Sequence, residues 1–123
     1  MKRPRILVVE DDESIRQFIH MALSDDGFEV RLAEEGAAAL DAAQRFRPDV
    51  ILLDMRMPGV DGWRFAEAYR ATPPPRAPIL VLTAARDAEA SAAEIAADAF
   101  LAKPFELAQL IRTLNGLIGR GKE

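Results

Sequence analysis

Short apolar runs, each cut off by acids, Gly, Pro or Thr, recur along this chain. Ile6-Leu7-Val8-Val9, residues 28–32, Val50-Ile51-Leu52-Leu53, Ile79-Leu80-Val81-Leu82 and residues 99–102 are each four or five residues long. Their length, β-branched content and flanking turn residues predict strands. Between them apolar residues recur at helical spacing. Ile15, Phe18, Ile19, Ala22 and Leu23 form one stripe, and Gly27 suits the left-handed position that ends a helix. Residues 37–46 predict an alanine-rich helix that stops before Pro48. Residues 55–62 read as a loop, and Asp61 can cap a helix running to about Arg70. Phe65 and Tyr69 lie one turn apart on its inner side, and Trp63 reads as a packing residue. Pro73-Pro74-Pro75 predicts an extended connection, too short for a domain linker. Residues 87–97 predict a helix whose only large apolar residue is Ile95. The last helix carries Leu107, Leu110, Ile111, Leu114, Leu117 and Ile118 on one face, with Pro104 suited to its first turn. Strand alternating with helix five times implies a doubly wound α/β fold. A run apolar on both faces implies a parallel sheet covered by helices on each side.

Composition narrows the function classes. A chain of 123 residues has room for one domain with one real core, and its 50% hydrophobic content excludes disorder. A net charge of −4 gives no reason to expect direct nucleic-acid binding. Lys2, Arg3 and Arg5 read as a solvated basic start. With no cysteine there is neither a disulfide nor a thiolate metal site. No apolar run reaches the length of a membrane span and no signal-peptide core follows the basic start, so a soluble, cytoplasmic chain is expected. The single histidine, His20, reads as a boundary residue rather than a ligand.

The chemistry collects where the strands stop. The first run ends in Glu10 and Asp11, the third in Asp54, the fourth in Thr83, and the fifth near Lys103. If the strands are parallel, all of these groups share one sheet edge, where ligands of open α/β sheets bind. Carboxylates gathered there repel one another, and a hard divalent cation relieves the repulsion. Oxygen donors without His or Cys point to Mg²⁺. Lys103 suits a phosphate oxygen, Thr83 offers a hydroxyl, and a carboxylate can act as a nucleophile to form an aspartyl-phosphate. Asp54 is the natural acceptor. Each residue also has a plainer role. Asp54 could be a turn former, the acids of residues 10–13 could favour a helix N-terminus, Thr83 could be a cap and Lys103 a surface residue. Their joint placement after short apolar runs favours the site.

The set Ile6-Leu7-Val8-Val9-Glu10-Asp11-Asp12, Val50-Ile51-Leu52-Leu53-Asp54, Met57-Pro58-Gly59-Val60-Asp61-Gly62, Leu82-Thr83-Ala84 and Lys103-Pro104-Phe105 resembles the receiver domain of bacterial two-component response regulators. The likeness covers essentially the whole chain. It implies a CheY-like fold: a five-stranded parallel sheet of strand order 2-1-3-4-5 with five helices. It implies that a histidine kinase, a phosphotransfer protein or a small acyl phosphate donates a phosphoryl group to Asp54. It implies Mg²⁺ held by Asp11, Asp54 and the backbone carbonyl of Arg56, with Glu10 acting through water. Thr83 and Lys103 would contact the phosphoryl oxygens, and the Lys103-Pro104 bond is expected to be cis. Phe100 matches an aromatic switch position that turns inward with the threonine. A downstream protein would then read the face of the fourth helix, fifth strand and fifth helix. The chain would be a monomer or a weak, phosphorylation-dependent dimer. It would be no enzyme toward other substrates, although it would catalyse its own phosphorylation and dephosphorylation.

Three features depart from the family pattern. Glu10 replaces the commoner aspartate, Phe100 lacks a tyrosine hydroxyl, and the segment from Thr83 to Lys103 is about two residues short and rich in alanine. Burying one isoleucine and several alanines contributes little, so the helix near residues 87–97 is expected to be short or loosely held. A Mg²⁺-dependent phosphatase is a competing reading, but it would need an acid-base aspartate where Arg56 stands. A flavodoxin-like cofactor binder would need a phosphate-cradling loop where residues 10–13 are acidic. A receiver that has lost phosphorylation is a third. No output domain follows the fifth helix, so a single receiver domain over residues 1–123 is expected, either stand-alone or part of a longer regulator.

Overall fold

A computed structural model describes residues 3–55 and 61–118. Five strands alternate with five helices: β1 Arg5–Val9, α1 Glu13–Asp25, β2 Glu29–Ala33, α2 Gly36–Phe46, β3 Val50–Leu53, α3 Gly62–Arg70, β4 Ile79–Ala84, α4 Ala85–Glu94, β5 Ala99–Lys103 and α5 Leu107–Leu117. All strand pairs are parallel, in the order β2-β1-β3-β4-β5. Alternation along the central strands divides the core. Leu7, Val9, Ile51, Leu53, Ile79 and Val81 face α2, α3 and α4, whereas Ile6, Val8, Val50, Leu52, Leu80 and Leu82 face α1 and α5. Central strands apolar on both faces are the physical reason that helices must cover each side.

Local signals set most boundaries. The Asp12 carboxylate accepts from the Ile15 N–H (3.0 Å) and caps α1, and Asp61 accepts from the Arg64 N–H (2.9 Å) and caps α3. Gly27 has φ +95°, the left-handed geometry expected after α1. Phe65 and Tyr69 are buried and stacked, with ring centroids 5.8 Å apart. Trp63 packs against the same core, as expected.

Four expectations need correction. Phe18 belongs to the α1 stripe by spacing but is 52% exposed, because Ile19 and Leu23 are the residues that point at the sheet. Pro104 lies before α5 rather than in its first turn, and Glu106 is the N-cap. The proline run contains a cis Pro74-Pro75 bond and is not a continuous extended segment. Finally, α4 begins at Ala85 and ends at Glu94, ahead of the expected 87–97. Ala85 and Arg86 are good helix formers and let it start directly after β4.

The helix α4 is held in an unusual way. Its buried residues are Ala88, Ser91 and Ala92, and no side chain caps its N-terminus. At its other end Arg70 of α3 donates to the carbonyls of Ile95 and Ala96, the latter at 3.0 Å, and the Trp63 indole donates to Glu94 (3.2 Å). Ala96 itself sits at φ 52°, a conformation that residues with a Cβ adopt at a cost. Tethers from α3 therefore supply attachment that apolar burial does not. Replacing Arg70 by Ala is expected to speed amide exchange across α4 while leaving β3 and β4 protected; equal effects in both, read by NMR, would refute it.

Tyr69 offers a second test. Its buried phenol oxygen accepts from the Ala77 N–H (2.7 Å). Burial raises its pKa above the ordinary 10.0, outweighing the Ala77 hydrogen bond and the nearby Arg76 charge, which lower it. A proton held more tightly in the folded state contributes stability that is complete below pH ~10 and is lost as pH rises above it. Tyr69→Phe leaves the Ala77 N–H unpaired and should cost about 1–3 kcal/mol at neutral pH. In urea titrations the gap between wild type and variant should narrow as pH climbs past ~10.

Candidate functional site

Parallel pairing places the C-terminal ends of β1, β3, β4 and β5 along one edge. Val9 is in register with Leu53, and Thr83 with Ala102. The chain leaves β1 at Glu10, which is 2% exposed, and β3 at Asp54, which is 5% exposed. Both are anchored by their own backbone: the Glu10 N–H donates to Ala33 (3.1 Å) and the Asp54 N–H to Val9 (2.9 Å). These bonds extend the ladder by one residue beyond the apolar runs. They hold two carboxylates against an apolar core that would otherwise exclude them.

The oxygens of Glu10, Asp11 and Asp54 include one from each residue that lie within 4.8 Å of one another. Asp11 is exposed, so the cluster opens to solvent on its side. Lys103, at the end of β5, places Nζ 2.8 Å from Glu10 Oε1 and 3.7 Å from Asp54 Oδ2. Apart from this ion pair with Lys103, Glu10 Oε1 has no partner among the described residues. The other oxygen, Oε2, accepts from the Asp12 N–H (3.2 Å).

Thr83 is buried at the end of β4 and lines a cleft with Asp54, Lys103, Pro104, Phe105, Ser14, Ile15 and Phe18. One wall of that cleft is therefore the charged rim, and the other is apolar. Phe18 and Phe105 meet there with ring centroids 6.4 Å apart.

Of the residues singled out from the sequence, Glu10, Asp11, Asp54, Thr83 and Lys103 converge on this edge. The Lys103-Pro104 bond is cis, as expected. Phe100 lies on β5 opposite Val81 and is 45% exposed, so its ring is outward in this structure. Arg56, whose carbonyl the resemblance made a ligand, and the neighbouring residues 57–60 lie outside the described residues, as does the polar tail 119–123. Sequence reasoning passed over Arg16 and gave Gly62 no role beyond a place in a loop motif, yet both shape the site. Arg16 stood four residues after the α1 cap, within reach of the acidic turn.

The donor set fits a divalent ion. Among the described residues three carboxylates gather beside one ammonium, and all of the clustered donors are oxygen. Hard cations of the Mg²⁺ type take such ligands.

Comparison with known proteins agrees with this geometry. Residues 6–115 match the response regulator receiver domain family. The response regulator MprA of Mycobacterium sp. (strain KMS) is 40% identical over 119 residues, which cover 94% of this chain and 51% of that protein. MprA of Mycobacterium leprae (strain TN) is 40% identical over 121 residues, or 96% and 52%. The chain thus spans about half the length of the curated relatives it matches. Among solved structures, the receiver domain of a sensor histidine kinase from Pseudomonas aeruginosa PAO1 superposes with TM-score 0.87 at 35% identity, covering 96% of this chain and 99% of that one. That structure holds a magnesium ion coordinated in its active site cleft. The chemotaxis response regulator CheY4 of Vibrio cholerae gives TM-score 0.82 at 35% identity over 95% of this chain and 100% of that one.

Gly62 locks the end of β3 to α3. Its N–H donates to the Met55 carbonyl (3.1 Å). A Cβ on Gly62 would lie 2.6 Å from Met55 Sδ, 2.7 Å from Met55 Cα and 3.1 Å from the Asp54 carbonyl. Backbone cannot yield as a side-chain tip can, so the end of β3 would have to shift. Gly62→Ala should destabilise the fold by about 1–3 kcal/mol in urea titration. Its amide shift changes should cluster at Asp54 and Met55; shifts confined to α3 would refute the coupling.

Proposed function

Because the chain belongs to the response regulator receiver domain family of two-component systems, we propose that Asp54 accepts a phosphoryl group from a histidine kinase, a phosphotransfer protein or a small acyl phosphate. The observation that carries this is the pairing of Asp54 with Lys103 beside two further carboxylates. An Asp54 oxygen attacks phosphorus, and the new O–P bond forms as the donor's P–N or P–O bond breaks. The electron pair leaves on the donor, as an imidazole that takes up a proton or as a carboxylate. Later attack by water releases phosphate and restores Asp54. The chain promotes both steps on itself and turns over no separate substrate.

Glu10, Asp11 and Asp54 would hold Mg²⁺, which when bound stabilises charge on the phosphoryl oxygens. Lys103 supplies a mobile cation toward the same oxygens, and the Thr83 hydroxyl a donor. The apolar wall formed by Ile15, Phe18 and Phe105 limits water on one side of the acceptor. Phosphorylation adds close to two negative charges at the rim. That charge acts on Thr83 and Lys103, which lie at the C-terminal ends of the adjacent strands β4 and β5, Thr83 one residue before the last. It biases the face of α4, β5 and α5, with Phe100 turning from its outward position. A partner protein reads the change only to the extent that it binds the two states differently.

Incubation with acetyl phosphate and Mg²⁺ should add one phosphoryl group per chain, read by mass spectrometry. Asp54→Asn and chelation by EDTA should each abolish the addition. Equal labelling of the Asn variant, or steady turnover of a phosphate ester without labelled protein, would overturn the proposal.

A further inference from the structure

Arg16 is an arginine on α1 whose side chain is only 11% exposed. Its Nη1 donates to the carbonyl of Glu10 (3.0 Å) and to that of Asp11 (3.2 Å). Its Nη2 lies 3.6 Å from Glu34 Oε2, just beyond the end of β2. One guanidinium thus ties two successive peptide groups of the acidic turn to a second loop. The turn is bound from its other side as well: the Asp12 N–H holds the Glu10 carboxylate, and the Asp12 carboxylate caps α1. Glu10 and Asp11 are two of the three clustered carboxylates.

We infer that Arg16 is a positioning residue for the divalent-cation site, fixing the backbone from which the Glu10 and Asp11 carboxylates project. The inference rests on the functional reading above. A carboxylate pair is useful to a cation only if its oxygens are held together before the ion arrives, since otherwise binding must also order the chain. The turn at residues 10–12 lies between β1 and α1. Without Arg16 the Glu10 and Asp11 carbonyls lose their shared donor, and the peptide planes that aim both side chains are freer to rotate. A fork-shaped guanidinium can serve both carbonyls and Glu34 together. An ammonium has its three donors on one atom, whereas the contacts here come from two nitrogens of the fork.

The sign of the effect separates positioning from charge. If Arg16 merely balanced charge, removing it would leave the rim more negative and the cation would bind more tightly. If it orders the turn, its removal weakens binding despite the more favourable field. Partners that orient metal ligands typically matter at the level of 10–100-fold in affinity.

The test is titration of metal-free wild type, Arg16→Ala, Arg16→Lys and Glu34→Gln with Mg²⁺ by calorimetry, with urea stability and amide exchange measured on the same samples. Arg16→Ala should weaken Mg²⁺ binding by roughly tenfold. Arg16→Lys should recover part of the loss, and Glu34→Gln should show a smaller one. Exchange at the Asp11, Asp12 and Ile15 amides should quicken in Arg16→Ala without metal. Tighter or unchanged binding in Arg16→Ala, with wild type binding normally, would overturn the inference. So would a loss of affinity that only tracks lost stability across the three variants. Failure of wild type itself to bind Mg²⁺ would overturn the functional reading instead, and unchanged exchange in the turn would still refute the role of Arg16. Should Arg16→Ala not fold, the Lys and Glu34→Gln variants carry the same comparison.

Discussion

Like charge held against an apolar edge is the constraint on which this structure depends. Glu10 and Asp54 are nearly inaccessible, yet each directly follows a run of buried aliphatic residues. Taking a carboxylate out of water is costly unless donors and countercharge replace the solvent. Here the replacements are ladder-type backbone bonds from Glu10 and Asp54, the Asp12 N–H, and the Lys103 ammonium from a strand two places away from β3. Among the described residues, three clustered carboxylates still share one ammonium. The fold therefore carries an electrostatic demand of the kind that a divalent cation is suited to answer.

The rest of the molecule can be seen as the means of keeping that demand in place. Large aliphatic side chains fill both faces of the central strands, so β1 and β3 cannot slide without losing buried area. Gly62 brings α3 against the backbone just after Asp54, where a side chain would intrude. By contrast, the residues that α4 buries are small, Ala88, Ser91 and Ala92, and its C-terminal end is held by Arg70 and Trp63. Large side chains pack around Asp54, and small ones lie under α4. A rigid site next to one lightly packed helix suits the proposed conversion of local charge into a change of shape, because lightly packed elements open at low free energy.

Much of this was legible in the residues themselves. The apolar runs marked the strands, and Val50–Leu53 was located to the residue because it is apolar on both faces and ends in an acid. The joint placement of Glu10, Asp11, Asp54, Thr83 and Lys103 after such runs pointed to the rim. Other features were illegible for identifiable reasons. Phe18 satisfied helical spacing, but spacing allows a stripe wider than the face the sheet can cover, and its ring lies beside Phe105 instead. Arg16 could have been any helical arginine, since Glu34 and the turn carbonyls reach it only after β1, α1 and β2 have assembled. Gly62 sat beside a capping aspartate and read as loop, because its contact with Met55 depends on the angle at which α3 returns.

By itself, then, the order of residues determined which segments became strands and helices and which side chains ended them. Those outcomes follow from short-range sterics and from the periodicity of burial, both contained in a few consecutive residues. Tertiary structure alone decided that Lys103 meets Glu10 and Asp54, that Thr83 shares their cleft, and that Arg16 grips the turn beneath the carboxylates. Such contacts join residues tens of positions apart, and their distances are set by strand order, register and helix docking, which no local window of the chain contains.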